Sequence, residues 1–217
     1  MAGGLEVSSD LREWASDARY SLTPSDQYGR AVFSTSNSEI RYFIGAGNDG
    51  RFRVTRSNRM GPEQLELAAP SLLTIETFLY GSFGSDIRYY SDLAQAKLAE
   101  PLPDGFRVGS LADEGQDHLA RFVAANRDYL AQLGEPDQDY VARYSDTNRD
   151  YLVLIAPDGD RTAVDCSGRF LAEIRLTRLA VYLRYGVEEI KASFLNPSGG
   201  QLLTVSDGEG EGTAAPS

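Results

Sequence analysis

Two matching runs of strand, turn and helix set the tightest limit on what this chain can fold into. Tyr42-Phe43-Ile44 and Tyr151-Leu152-Val153 each lead into an Asp-Gly turn at the same offset, so that Gly50 matches Gly159. Asn, Asp and Gly tolerate positive φ, which is what a tight hairpin needs. A second strand answers each turn, at residues 51–56 and 161–165. A helically spaced apolar stripe then follows in each half: Leu72, Ile75, Leu79 and Phe83 in the first, Leu176, Leu179, Ala180 and Leu183 in the second. Neither helix can bury its stripe alone, so each must lie across a sheet. The class expected is α+β: an antiparallel sheet built from two meander-plus-helix units, with the helices packed on it.

The two halves read either as a degenerate repeat, with Tyr80-Gly81 answering Tyr185-Gly186 at the helix ends, or as a chance recurrence of a common unit. If the repeat is real, both long helices share one side of the joined sheet. The other side is then open to a partner or covered by a third helix.

The remaining stretches fill in around this plan. A short helix is expected near residues 9–18, with Asp10 and Glu13 at capping-box spacing and Trp14 as its core anchor. Strands are expected at 30–34, 40–45 and 63–68 beside those already named. Pro70-Ser71 opens the first long helix, and Gly81 and Gly84 weaken its last turn, which places its end near either. Residues 91–115, with two Pro and three Gly, read as a linker holding one strand at 106–108. A helix is expected at 116–133, strands at 140–144 and 190–195, and a helix at 171–185. The organisation expected is thus a unit at 1–90, a linker at 91–115 and a second unit at 116–205, forming one compact domain. A disordered tail at 206–217 follows, where SDGEGEGTAAPS offers nothing apolar to bury.

Composition narrows function as well. One His, one Cys and one Trp stand against 12 Tyr and a formal charge of −11. That charge disfavours nucleic acid, which needs a positive face, and an anionic membrane surface. One cysteine cannot close an internal disulfide, which favours a reducing compartment. The first residues show neither the basic nor the apolar region of a secretory signal, and no run approaches the length of a membrane span. A cytoplasmic protein is expected.

The side chains that run reactions are scarce. His118 stands beside Asp117 on an amphipathic helix, where a lone His is more often solvated or structural. Cys166 has no neighbouring Lys to lower its thiol pKa and reads as a small core filler. Residues 146–150 and 158–160 resemble calcium loops in composition, but the first has neither the Gly nor the Glu of an EF-hand. Gly45-Ala46-Gly47 precedes a hairpin, not a helix, so it is no phosphate cradle. No catalytic residue, metal or cofactor is expected.

Recognition residues are easier to find. Arg51, Arg53, Arg56 and Arg59 make a basic patch on an acidic chain, either as solvated partners of nearby acids or as part of a mixed-charge surface. Asp137, Asp139, Tyr140 and Arg143 follow the third helix in an acidic, aromatic segment, and Tyr28 sits in a similar context. Tyr and Arg are common anchors of protein interfaces. The candidate contacts are therefore Tyr28, Arg51, Arg53, Asp137, Asp139, Tyr140 and Arg143. The tyrosines have a second reading as packing residues on strand faces.

The stretches LREWASDARYSLTPSDQYGRAVF, IRYFIGAGNDGRFRVTRSNR and LELAAPSLLTIETFLYGSFGSDIR resemble the polymorphic-toxin immunity family, that of the immunity factor of the tuberculosis necrotizing toxin. The resemblance covers residues 5–90 and, more loosely, 150–195. It implies a cytosolic protein that is not an enzyme. It implies binding to a secreted toxin domain similar to an NAD glycohydrolase, with occlusion of its active-site cleft. An acidic inhibitor suits a toxin whose cleft is basic. The rival expectations are a small ligand-binding protein or enzyme with a cavity between sheet and helices, and a dimerisation module using an open sheet face.

Overall fold

The computed structural model describes residues 5–59, 61–99, 101–133, 142–144, 146 and 150–205. Its first half is a meander of β1 (Tyr20–Thr23), β2 (Ala31–Thr35), β3 (Ile40–Ala46), β4 (Phe52–Asn58) and β5 (Gln64–Ala69). The β3–β4 hairpin pairs Ile40 with Asn58 through to Ala46 with Phe52. Gly50 takes the φ of 74° that its turn requires. The second half contributes β7 (Arg107–Ser110), β8 (Leu152–Ile155) and β9 (Arg161–Asp165). β5 and β9 pair antiparallel, Leu67 with Asp165 and Ala68 with Val164, and this seam joins the halves. Among the described residues the sheet has eight strands, in the order β1-β2-β3-β4-β5-β9-β8-β7. The expected α+β architecture is present.

Strand alternation sends successive side chains to opposite faces and so divides the core in two. On one face, Phe33, Ile44, Val54, Leu67 and Leu154 pack with the helices α1 (Ser9–Asp17), α2 (Leu72–Tyr90), α4 (Arg169–Arg184) and α5 (Val187–Leu195). Phe83 of α2 is its aromatic centre, with ring centroids 4.8 Å from Tyr20, 5.3 Å from Phe33 and 5.8 Å from Tyr42. On the other face, Leu65, Ala68, Tyr151, Val153, Ile155 and Val164 pack with α3 (Gln116–Ala131) through Leu119, Phe122, Val123 and Leu130. Both long helices thus share one side and the third helix takes the other. A small second sheet pairs β6 (Ala96–Leu98) with β10 (Leu203–Val205).

Several local expectations are corrected. α1 is capped by Ser8, whose hydroxyl accepts from the Leu11 amide at 3.2 Å. Asp10 instead accepts from the Tyr80 hydroxyl and from Lys191 Nζ, each at 2.7 Å, and so ties α1 to α2 and α5. α2 runs on to Tyr90, past both glycines. Gly81 and Gly84 are contact notches: a Cβ at either would overlap the ring of Tyr182 or Phe194. Tyr80-Gly81 is therefore mid-helix, whereas Tyr185 caps the end of α4, and the proposed correspondence between them does not hold. Residues 190–195 are helical, not a strand, because Glu189 accepts from the Gly186 amide at 2.8 Å and starts α5 ahead of them. Residues 142–144 are helical where a strand was expected. The stretch read as a linker holds two strands, β6 and β7. Residues 1–4 and the tail at 206–217 lie outside the described residues.

Candidate functional site

The α3 face is where most of the candidate contacts converge. α3 packs its apolar stripe on the second half of the sheet, and its last turns reach across to the β3–β4 hairpin. There Tyr129 closes on Gly45, where a Cβ would crowd both the Tyr129 hydroxyl and the Arg30 stem. Glycine at this position is a requirement of close approach, not of backbone conformation.

Two arginines organise this face. Arg53 is 0% exposed. Its Nη1 and Nη2 donate to the two Asp49 carboxylate oxygens at 2.8 and 2.9 Å, and its Nε donates to Asn126 Oδ1 at 3.1 Å. Its guanidinium lies 5.1 Å from the Tyr129 ring centre. Burial pushes the Asp49 carboxyl up, but the Arg53 guanidinium overrides that and holds it below its ordinary value. Arg30 donates from Nε to Asp26 at 2.9 Å and grips Glu63 with both terminal nitrogens, at 2.7 and 3.0 Å. Such fork-to-carboxylate pairs fix geometry as well as charge. Arg30 also covers the rings of Phe43 at 4.4 Å and Tyr28 at 5.4 Å, and Arg41 approaches Phe43 at 5.4 Å.

A continuous line of contacts results. Tyr28, 40% exposed, leans on Arg30. Arg51, half-buried, faces Phe122 of α3 at 5.9 Å. Phe122 meets Tyr151 edge-on at 5.4 Å, and the Tyr151 hydroxyl donates to the Tyr144 carbonyl at 2.9 Å. Arg143, next to Tyr144, is exposed. Tyr28, Arg51 and Arg53 thus attach to one side of the sheet, and Arg143 is the neighbour in sequence of Tyr144, which is buried there. Asp137, Asp139 and Tyr140 lie outside the described residues. The arginine patch is split by the pleat: Arg51 and Arg53 take the α3 face, and Arg56 the opposite one.

Sequence reasoning missed Arg30, Arg41, Phe43 and Tyr129. Strand alternation was the available signal for the first three, since residues 30, 41 and 43 share a face with Arg53 once β2, β3 and β4 are in register. Nothing local marked Tyr129, whose role depends on where α3 ends.

His118 is half-buried, with Nδ1 3.3 Å from Arg121 Nη2 on an exposed helix edge. Cys166 is buried in the α3-side core. Among the described residues no group of three or more His, Cys, Asp or Glu side chains is placed to hold a metal ion. No helix among them is long and apolar enough to cross a membrane.

Residues 14–133 match the family described as immunity protein 61, a span running from Trp14 through the meander, α2 and the whole of α3. The chain belongs to the immunity protein 61 family. Over 213 residues it is 27% identical to the immunity factor for TNT of Mycobacterium tuberculosis (strain ATCC 25618 / H37Rv), covering 94% of this chain and 97% of that relative. The same figures hold for the immunity factor for TNT homolog of Mycobacterium bovis (strain BCG / Pasteur 1173P2). The solved structure of Rv3902c from M. tuberculosis is similar with a TM-score of 0.70 and 26% identity, covering 94% of this chain and 97% of that one. The likeness therefore reaches well beyond the segments that carry it in the sequence. The protein is an immunity protein of the polymorphic-toxin kind, and its role is toxin inhibition.

Proposed function

We propose that this immunity protein acts in the cytoplasm on a secreted NAD-glycohydrolase-type toxin domain, docks its α3 face over the toxin's active-site cleft, and blocks substrate entry. The observation that carries the reading is the nearly end-to-end likeness to immunity factors for TNT. The charge of −11 supports a basic cleft on the toxin and fast, salt-sensitive association. An interface of about 800 Å² per partner suffices for a stable block.

Within that face the candidates divide by exposure. Tyr28, Arg51 and Arg143 are open to a partner, and Asp137, Asp139 and Tyr140 extend the same acidic, aromatic set in sequence. Arg53 is enclosed, so it serves by holding Asp49 and Asn126 in place beneath the contact surface.

The test is an affinity measurement against the cognate toxin domain, captured from the producing cell and identified by its hydrolysis of NAD. Tyr28→Ala and Arg143→Ala should each weaken binding about tenfold or more while leaving the circular dichroism spectrum unchanged. Both side chains are surface-placed, so loss of the fold is not a competing explanation. Wild-type affinity in both variants would move the interface elsewhere.

A further inference from the structure

On the side of the sheet away from α3, a second polar site lies between α2 and α4. Its floor is the sheet and its walls are the two helices, enclosing about 230 Å³. Arg56 and Glu66 rise from the floor, Asp86 comes from α2, and Arg175 and Arg178 come from α4. Tyr42 and Tyr182 also line it. No part of the toxin reading uses these residues. We infer that this cleft binds a small oxyanion, the phosphate or carboxylate group of a small molecule.

Donors and acceptors in the cleft are mismatched. Both carboxylates are already engaged. Glu66 accepts from Arg175 Nη2 at 2.9 Å and lies 4.0 Å from Arg56 Nη1, and Asp86 accepts from the Tyr20 hydroxyl at 2.8 Å. The donors are not used up. Among the described residues, Arg56 Nε and Arg175 Nη1 are buried with no hydrogen-bond partner. Arg178, exposed at the rim, makes no ion pair among the described residues, and the Tyr42 and Tyr182 hydroxyls make no hydrogen bond among them. Burial raises both tyrosines, Tyr182 to about 12, so at neutral pH their hydroxyls keep their protons and can donate. A buried donor without an acceptor is costly, so these two nitrogens favour an acceptor supplied from solution.

The missing partner must therefore accept hydrogen bonds without offering any. It must also be anionic, because three guanidiniums face two carboxylates. Oxyanions meet both requirements, and guanidiniums recognise them through paired, charge-assisted bonds. A larger groove of about 610 Å³ continues from the cleft through the shared residues Ser85, Asp86 and Arg178. It leaves room for the body of a molecule whose charged end sits among the arginines.

The experiment titrates the full chain with sodium phosphate and, separately, with sodium acetate, at an ionic strength held constant with sodium chloride. Calorimetry and melting temperature are the readouts. A saturable, one-to-one heat with at least one anion is expected, with a rise in melting temperature that chloride alone does not give. Response to phosphate only assigns a phosphate group, and response to acetate assigns a carboxylate. Arg178→Gln should raise the dissociation constant about tenfold or more. It should leave the melting temperature in chloride unchanged, because the side chain has no ion pair to lose. Arg127→Gln, on the exposed edge of α3, makes the same change in net charge and should leave affinity unaltered. No saturable binding of either anion would overturn the inference, as would equal weakening by both substitutions. Toxin binding rests on other residues and stands or falls separately.

Discussion

Trp14→Ala should destabilise the protein by about 3–5 kcal/mol, the range for emptying a buried Trp site. Trp14 is 2% exposed in the core that gathers α1, α2 and α5. Its indole Nε1 donates to the Tyr80 carbonyl at 3.0 Å, which anchors α1 across the middle of α2. Lys191 of α5 lies 5.9 Å from its ring centre. One side chain thus serves three helices, and a methyl group in its place leaves a cavity that a rigid helix pair cannot collapse. Trp14→Phe restores most of the packing and loses only the indole bond, so it should cost about 1–2 kcal/mol. Urea denaturation of the three proteins checks both values. A Trp14→Ala protein within about 1 kcal/mol of wild type would mean that α1 is peripheral to the fold.

Arg53→Met should cost about 3 kcal/mol, at the low end for breaking a buried ion pair by deleting one partner. The low end applies because Asp49 keeps some contact with water, whereas Asn126 is fully enclosed and loses its donor. The pH dependence gives the signature. Asp49 is held below its ordinary 3.8 in the folded protein. A depressed carboxylate adds stability above its unfolded value and loses it as the pH falls through its folded value. The gap between wild type and Arg53→Met should therefore be widest near neutrality and should narrow below about pH 4. Denaturant midpoints measured from pH 3 to pH 7 test this. A gap constant across that range would show that packing, not the Arg53–Asp49 pair, sets the cost. The same variant should also weaken toxin binding, because Asp49 and Asn126 then lose their anchor beneath the α3 face.

The sheet and its principal helices were legible because their signals are local. Asn48-Asp49-Gly50 specifies a tight turn wherever it occurs, and the stripe of Leu72, Ile75, Leu79 and Phe83 needs only its own spacing. What stayed hidden depends on distant chain. Gly81 and Gly84 resemble helix breakers until Tyr182 and Phe194 are seen filling the space they leave. α5 had a readable signal in Glu188 and Glu189 at its first turn, but the apolar spacing of Ile190, Ala192 and Phe194 resembled a strand.

The recognition face divides the same way. Tyr28 was readable as an aromatic in an open loop. The burial of Arg53 was not, because its partner Asn126 is 73 residues away. Arg51 and Arg53 look alike in sequence, yet one faces the rim of α3 and the other is sealed beneath it. The donor-rich cleft is furthest from sequence: Tyr42, Arg56, Glu66, Asp86, Arg175 and Arg178 become neighbours only once β5 pairs with β9 and brings α4 beside α2.

The most direct test of inhibition by binding alone is a titration of the cognate toxin's NAD hydrolysis with the purified chain. Activity should fall linearly and reach zero at one molar equivalent, and the chain by itself should consume no NAD. Complete inhibition at a small fraction of an equivalent, or product formed by the chain with no toxin present, would contradict it.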